Sequence, residues 1–386
     1  MNKKVKICMN SMVANEANTI IRMLESVYKY IDFWVIQDNG SKDGTQDIIK
    51  NFFKEKNIPG VLYETEWKFP GYNRDHTLQE CLKTNHGCDW ILRMDADETL
   101  EIDDDFDWSI LEDTSIQSWN VNAVNGGTRY MRTWMWNAKL PWFFQHDVRH
   151  ETIHLPDVGE SFQRVSLPSS FKHRVSQDGQ TWAAPRKFLR DALELEIDKV
   201  VGDKIKDDHY HLWYIGKSYL DCYGKPSELF FGKKHSDEYA RRGIWYLERY
   251  MELVHEWTIE NPIVKSPNEW AYFSMIIIAE AYFFMGNEEM GLKYLSVAED
   301  FCAGRNEHLY TLAQFYEKNN MIEKAIEILN QMLSEERTNP YPKLVFLIDD
   351  RYYHDTSDFL YHRKEELEKK LSTPVINLES FSFQFS

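Results

Sequence analysis

Within its first hundred residues the chain switches repeatedly between two hydrophobic periods, and this alternation restricts the fold more than any other feature. Val5-Lys6-Ile7-Cys8-Met9 has the brevity and apolar density of a buried strand. Ile20, Ile21, Leu24, Val27, Tyr28 and Ile31 then recur at helical spacing, with Asn15 or Asn18 as N-cap. Phe33-Trp34-Val35-Ile36 is a second strand, and Ile48, Ile49, Phe52 and Phe53 form the face of the next helix. After a Pro59-Gly60 turn, Val61-Leu62-Tyr63-Glu64 is a third strand; a helix from about Tyr72 to Lys83 precedes a fourth, ending at Asp95. Strands alternating with helices build βαβ units and a mostly parallel sheet. Such sheets bind ligands beyond the carboxyl ends of their strands. Three polar clusters occupy those ends: residues 12–16, 38–45 and 95–98.

In the last of these, the apolar run Trp90-Ile91-Leu92-Arg93-Met94 stops at Asp95-Ala96-Asp97-Glu98. Alternate side chains of a strand share a face, so Asp95 and Asp97 are expected to point the same way. Two hard oxygen ligands so placed suit Mg²⁺ or Mn²⁺, which bind through one or two carboxylates plus substrate phosphates. An EF-hand is excluded, because Leu100 stands where its loop requires Gly.

A chain of 386 residues has room for two domains, and 43% hydrophobic with 28% charged residues reads as globular. The formal charge of −17 argues against nucleic acid or an anionic membrane surface as partner. It also means that a polyanionic ligand needs local Arg, Lys or metal. No apolar run approaches the ~20 residues of a membrane span, and the start lacks a signal peptide's apolar region. Cys8, Cys81, Cys88, Cys222 and Cys302 are odd in number and never spaced as CxxC, which fits reduced thiols and a cytoplasmic location.

Residues 118–175 change character. Val121 to Val124 and Arg129 to Trp136 alternate as antiparallel strands about a Gly126-Gly127 turn. Trp134, Trp136 and Trp142 suit either a core or stacking on a sugar ring. From about residue 186 the pattern is helical nearly to the end, and it repeats. Ala279, Tyr282, Gly286, Gly291 and Ala298 recur thirty-four positions later as Ala313, Tyr316, Asn320, Ala325 and Met332, the tetratricopeptide period. Gly216 and Tyr219 begin an earlier copy, with Ala240 displaced by an insertion. Residues after Ser372 give no clear signal.

Val13-Ala14-Asn15-Glu16, Asp38-Asn39-Gly40-Ser41-Lys42-Asp43-Gly44-Thr45 and Met94-Asp95-Ala96-Asp97 resemble, in order and spacing, the motifs of family 2 glycosyltransferases with the GT-A fold. Glu66 to Phe69 and Asn73-Arg74 resemble the segment in which an Arg faces the donor, although Asp75 stands where the family often has Asn. His150-Glu151 and His173 are similar to the His-Glu and downstream His of a bacterial and phage branch. That branch carries C-terminal tetratricopeptide repeats and includes enzymes that glycosylate peptides. Here Arg174 to Ser176 replace the Gly that normally follows its His. The resemblance implies an α/β GT-A domain, Rossmann-like with a mostly parallel sheet, over residues 1–200, and an all-α tetratricopeptide-like domain over residues 201–386.

On this reading the chain is a cytosolic, metal-dependent, inverting, hexosyltransferase-like enzyme. It moves sugar from a nucleotide sugar, UDP-linked by preference, to a peptide, protein or glycan. Asp97 is the expected direct ligand of Mn²⁺ or Mg²⁺; the resemblance places Asp95 nearer the ribose or a metal-bound water and makes His173 a further ligand. Asp38 accepts a hydrogen bond from a base N–H, favouring uracil, while Met12, Ala14 and Glu16 line the same pocket. Arg74 supplies fixed positive charge to the diphosphate. An inverting transfer needs a base: Glu151 is the expected one, with His150 its competitor. Repeats from about residue 205 onward are expected to bind the acceptor or to mediate dimerisation, since stacked helix pairs form extended concave surfaces. One rival is a catalytically silent GT-A domain serving as a repeat-based binding module. Another, a nucleotidyltransferase, predicts a Gly-rich loop after the first strand, and residues 10–16 contain no Gly.

Overall fold

The computed structural model describes residues 3–125, 128–145, 149–150, 152–156, 164–176, 178–179, 187–201, 209–222, 233–260, 269–302, 304–334 and 356–372. The Gly126-Gly127 turn, Glu151 and the C-terminal tail lie outside them. Two compact units divide at Glu256 and Trp257.

The first unit is built as the alternation of periods predicts. Strands β1 (Ile7–Val13), β2 (Phe33–Asp38), β3 (Gly60–Glu64) and β4 (Trp90–Arg93) are parallel, in the order β3-β2-β1-β4. Helices α1 (Ile20–Val27), α2 (Thr45–Lys56) and α3 (Pro70–Thr84) connect them. β1, β2 and β4 are buried on both faces, because each face has its own helices, while the edge strand β3 is half-buried. Ile7, Met9, Trp34 and Ile36 join Ile20, Leu24, Ile49 and Phe53 in one apolar cluster. Cys8, Val35 and Ile91 join Leu78, Cys81 and Trp136 in the other, under α3. The cysteines, dispersed in sequence, meet here: Cys8 Sγ lies 3.3 Å from Cys81 Sγ, with Cys88 in the same cluster. All five are free thiols.

The sheet continues as a mixed one. β7 (Thr128–Asn137) runs antiparallel to β4 and to β6 (Ser118–Asn125), as the alternation of residues 121–136 predicts. Long-range pairings then extend it. β10 (Arg164–Ser166) and β11 (Phe171–Val175) pair in parallel with successive parts of β6, and β5 (Glu98–Ile102) closes the edge antiparallel to β11. β8 (Phe143–Phe144) and β9 (Ile153–His154) form a separate two-stranded hairpin. Trp136 and Trp142 are fully buried and Trp134 nearly so, so all three belong to the core.

Two local expectations are corrected. β4 ends at Arg93, so Asp95 and Asp97 lie in the β4–β5 turn and not on a strand. α1 begins at Ile20 behind Thr19, not behind Asn15 or Asn18: Glu16 carbonyl accepts the Thr19 and Ile20 N–H groups, which turns the chain into the helix one turn later.

Still in the first unit come α4 (Lys187–Leu195), a π-helical turn (Glu196–Val201), α5 (His209–Leu220) and most of α6 (Lys233–Glu260). α5 and α6 cross at two glycines. A Cβ on Gly216 would stand 3.0 Å from the Gly243 carbonyl, and one on Gly243 would stand 2.9 Å from the Gly216 carbonyl.

The second unit contains α7 (Glu269–Phe284), α8 (Glu288–Phe301), α9 (Glu307–Lys318), α10 (Ile322–Met332) and α11 (Thr356–Ser372). Here the thirty-four-residue period is physical. Gly286 and Asn320 both take positive φ, +79° and +58°, and the next N–H in each case caps the carbonyl of Tyr282 or Tyr316. Ala279, Ala298, Ala313 and Ala325 are buried between the paired helices, where small side chains let the backbones approach. α11 adds Leu360 and Leu367 to the α9–α10 core. No helix among the described residues is long and apolar enough to cross a membrane.

Candidate active site

The three polar clusters come together at the carboxyl ends of β1, β2 and β4. The loop after β1 is stitched to the loop after β2: Asn15 N–H donates to Ser41 Oγ, Glu16 N–H to Thr45 Oγ1 and Ala17 N–H to Asp43 Oδ2, all at 2.8–2.9 Å. Met12 is half-buried in register with Gln37, and Ala14 is half-buried in the loop. Glu16 accepts from Thr19 Oγ1 at 2.5 Å.

Asp38 is fully buried at the end of β2. Its Oδ1 accepts from the Gly40 and Ser41 N–H groups at 2.9 and 2.8 Å and from Gln46 Nε2 at 3.0 Å. Its Oδ2 is buried without a hydrogen-bond partner, as is Ser11 Oγ on β1. An unmade buried bond of this kind costs about 1–3 kcal/mol.

Asn73 ties the loops after β2 and β3 to α3. Its Nδ2 donates to Asn39 Oδ1 at 2.9 Å and to the Glu66 carbonyl at 3.0 Å, and its Oδ1 accepts from Lys68 N–H at 2.8 Å. This knot sets the rotation of the helix and turns the next residue, Arg74, to Asp95: Nη1 donates to Oδ1 at 3.0 Å.

The two aspartates of the turn live in opposite environments. Burial alone would raise Asp95, but the guanidiniums of Arg74, Arg93 and Arg132 outweigh it and hold this carboxyl well below the usual range. Asp97 is pushed up to about 7 by burial and then by the carboxylates of Asp95, Glu98 and Glu16. Its carboxylate neighbours and its burial outweigh the attraction of the nearby Arg22 guanidinium. A Cβ on Gly179 would lie 3.1 Å from Asp97 Cβ, so only Gly fits easily against this side chain. That glycine follows His173 after a longer interval than the motif anticipates. Asp178, beside it, pairs with Arg22 on α1 at 2.6 Å.

His173 on β11 is buried against Glu98, with Nδ1 3.5 Å from Glu98 Oε2, and meets Trp134 edge to face at 5.4 Å. Neither ring nitrogen has a hydrogen-bond partner. Glu98 pairs with Arg132 at 2.6 Å, and the Arg93 and Arg132 guanidiniums lie over Trp134 at 4.4 and 4.2 Å. Sequence reasoning assigned no role to Glu98, Arg93 or Arg132. The available signal was a charge inside otherwise apolar strand patterns. Among the described residues no group of three His, Cys, Asp or Glu side chains is arranged to hold a metal ion. Two donors suffice where substrate phosphates complete the shell, and a carboxyl such as Asp97 and the unbonded His173 nitrogens have the donor chemistry for such a cation.

His150 stands elsewhere, in the loop of the β8–β9 hairpin. It takes φ +54° and stacks on Tyr214 of α5 with centroids 3.6 Å apart. Burial, and then Lys187, His211, Arg149 and Lys217, hold it well below the usual imidazole range. Arg149 is clamped by Glu194 at 2.6 Å and Asp191 at 3.2 Å on α4. Glu151 lies outside the described residues.

Comparison with known proteins adds the following. A comparison with curated proteins gives no match. Among solved structures, S. aureus TarS (residues 1–349) in complex with UDP is similar at 12% identity and TM-score 0.33, over 83% of this chain and 91% of that one. A thermophilic TPR protein of Thermus thermophilus is similar at 14% identity and TM-score 0.32, over 49% and 79%. Likenesses this distant carry no argument. The model of glycosyl transferase family 2 matches residues 12–106. That span holds all three strand-end motifs gathered by the sheet, and on this ground residues 12–106 form a family 2 glycosyltransferase domain.

Proposed function

We propose that the enzyme is metal-dependent and inverting, and that it transfers sugar from a UDP-linked donor to a peptide, protein or glycan. The observation that carries this reading is the contrast between Asp95, held ionised among three guanidiniums, and Asp97, raised to about 7 by burial and by the carboxylates of Asp95, Glu98 and Glu16. Asp97 would hold Mn²⁺ or Mg²⁺ with His173 as a further ligand. Bound there, the ion offsets the charge that grows on the β-phosphate as the sugar leaves.

The chain's own groups do the rest. The unpartnered Asp38 Oδ2 accepts the N–H of a uracil base, and Met12, Ala14 and Glu16 border that pocket. Arg74 divides its charge between Asp95, near the ribose, and the diphosphate; its planar fork suits phosphate oxygens. Glu151 takes the proton of the attacking acceptor group, and His150 beside it orients Glu151 or the acceptor. His150 is held neutral, so it is the rival base. The repeats bind the acceptor or a second copy of the chain. A cytosolic setting is in keeping with the five free thiols.

A thermal-shift screen of nucleotide sugars with and without Mn²⁺ tests the reading, since a ligand bound only by the native state raises its apparent stability. UDP-sugars should raise Tm, and more so with Mn²⁺. Equal shifts with and without metal would refute metal dependence, and a preference for another base would refute the role of Asp38.

A further inference from the structure

The helix that presents Arg74 also holds the hairpin that carries His150. Asp75 is the next residue on α3, and its Oδ1 accepts the N–H of Phe144 at 2.9 Å. One helical turn later, Gln79 Nε2 donates to the Trp142 carbonyl at 2.9 Å and to Asp75 Oδ1 at 3.2 Å. Two consecutive turns of α3 thus grip the chain where it enters the β8–β9 hairpin. A carboxylate accepting a backbone N–H makes a charge-assisted bond, roughly twice as strong as a neutral one.

The hairpin needs such a grip. Among its described residues Phe143–His154 and Phe144–Ile153 pair, and Gln145 N–H donates to the Thr152 carbonyl at 2.9 Å. A two-stranded hairpin is marginal by itself, so outside contacts decide where its loop stands. One contact is Phe144, buried edge to face on Trp136 at 5.7 Å. Another is the far side, where Arg149 and His150 are held by α4 and α5. Asp75 is a further contact, and it joins the hairpin to the helix that carries Arg74.

We propose that Asp75 is a positioning residue for the acceptor half of the reaction. It fixes the β8–β9 hairpin, on whose loop His150 lies, relative to the diphosphate held by its neighbour Arg74. The inference rests on the reading of His150-Glu151 as the segment that activates the acceptor. The substitution of Asp for the family's frequent Asn then keeps an oxygen acceptor at this position.

The test compares full-length wild type with Asp75→Ala, Asp75→Asn and Gln79→Ala. Three measurements are made: hydrogen exchange over residues 143–154, affinity for UDP with Mn²⁺, and hydrolysis of UDP-glucose and UDP-N-acetylglucosamine with water as acceptor. Asp75→Ala should expose the hairpin amides to exchange and lower kcat roughly 10- to 100-fold, the cost of a small misplacement of reacting groups. KM for the sugar nucleotide and UDP affinity should stay within about twofold, since the donor contacts are intact. Asp75→Asn should restore both exchange protection and turnover, and Gln79→Ala should give the Ala pattern in weaker form even if Asp75→Ala fails to fold. Faster exchange with unchanged kcat, or a loss of UDP affinity equal to the loss of kcat, overturns the proposal. So does unchanged exchange. A wild type that binds UDP with Mn²⁺ but turns over neither donor defeats the underlying reading instead, and it does so before any substitution is made.

Discussion

Asp95 and Asp97 are separated by one alanine, yet the fold gives them opposite electrostatic lives. Three guanidiniums surround the first, while the second meets other carboxylates. Asp97→Ala should therefore abolish the tightening of UDP binding by Mn²⁺ while leaving the fold intact, which calorimetric titration with and without metal measures. An unchanged metal effect would remove Asp97 from the ligand set. The same environment sets a pH dependence. A carboxyl that ionises near 4 in the unfolded chain and at about 7 in the native one favours unfolding increasingly as pH rises between those values. Asp97→Asn should accordingly raise the metal-free Tm at pH 8 and leave it unchanged near pH 3.5. A wild type and variant that differ equally at both pH values would contradict this. The base is tested by single-turnover transfer at matched donor saturation. Glu151→Gln should lose ~10²–10⁴-fold in rate with little change in donor affinity. His150 is held well below its ordinary range, so an imidazole base would move the acid-side inflection of activity below the ordinary imidazole range. Loss of turnover by His150→Gln with Glu151→Gln unaffected would reverse the two roles.

At the level of elements, close approach does what hydrophobic periodicity cannot reveal. α5 and α6 touch backbone to backbone at Gly216 and Gly243. Tyr219, Tyr246 and Arg242 reach the buried side of Glu196 from that crossing, at 2.5, 2.7 and 2.6 Å. Gly243→Ala places a methyl 2.7 Å from Leu220 and 2.9 Å from the Gly216 carbonyl. Only the leucine can yield, so the substitution should cost about 1–3 kcal/mol in denaturant unfolding. A neutral result would show that the helices part without loss. Gly216 was legible in sequence as a repeat position; Gly243 was not, because its partner is twenty-seven residues away and carries no common motif.

For the whole molecule, the repeats leave equivalent exposed positions such as Glu289 and Glu323, thirty-four residues apart. If the repeat surface binds the acceptor or a second copy, Glu289→Lys with Glu323→Lys should change either acceptor KM or sedimentation behaviour without altering UDP affinity. Constancy of all three would separate the repeats from both roles.

The sequence by itself determined the parallel β3-β2-β1-β4 core, the polar clusters at its strand ends and the thirty-four-residue helical period. Each is written in short-range spacing: apolar residues at period 2 or 3.6, and turn residues where strands stop. It also marked Asp38, Arg74, Asp95 and Asp97 as one neighbourhood, because parallel strands deliver their carboxyl ends to one edge. What tertiary structure alone decided is long-range. β5, β10 and β11 pair with strands far away in sequence, which brings Glu98, Arg132 and His173 together and gives Asp95 and Asp97 differently charged neighbours. Asp75 reads as a departure from a motif until its carboxylate is seen on Phe144 N–H, sixty-nine residues on. Local pattern specifies which face a side chain takes; only chain closure over such distances decides which charge it meets there, and the charge decides its chemistry.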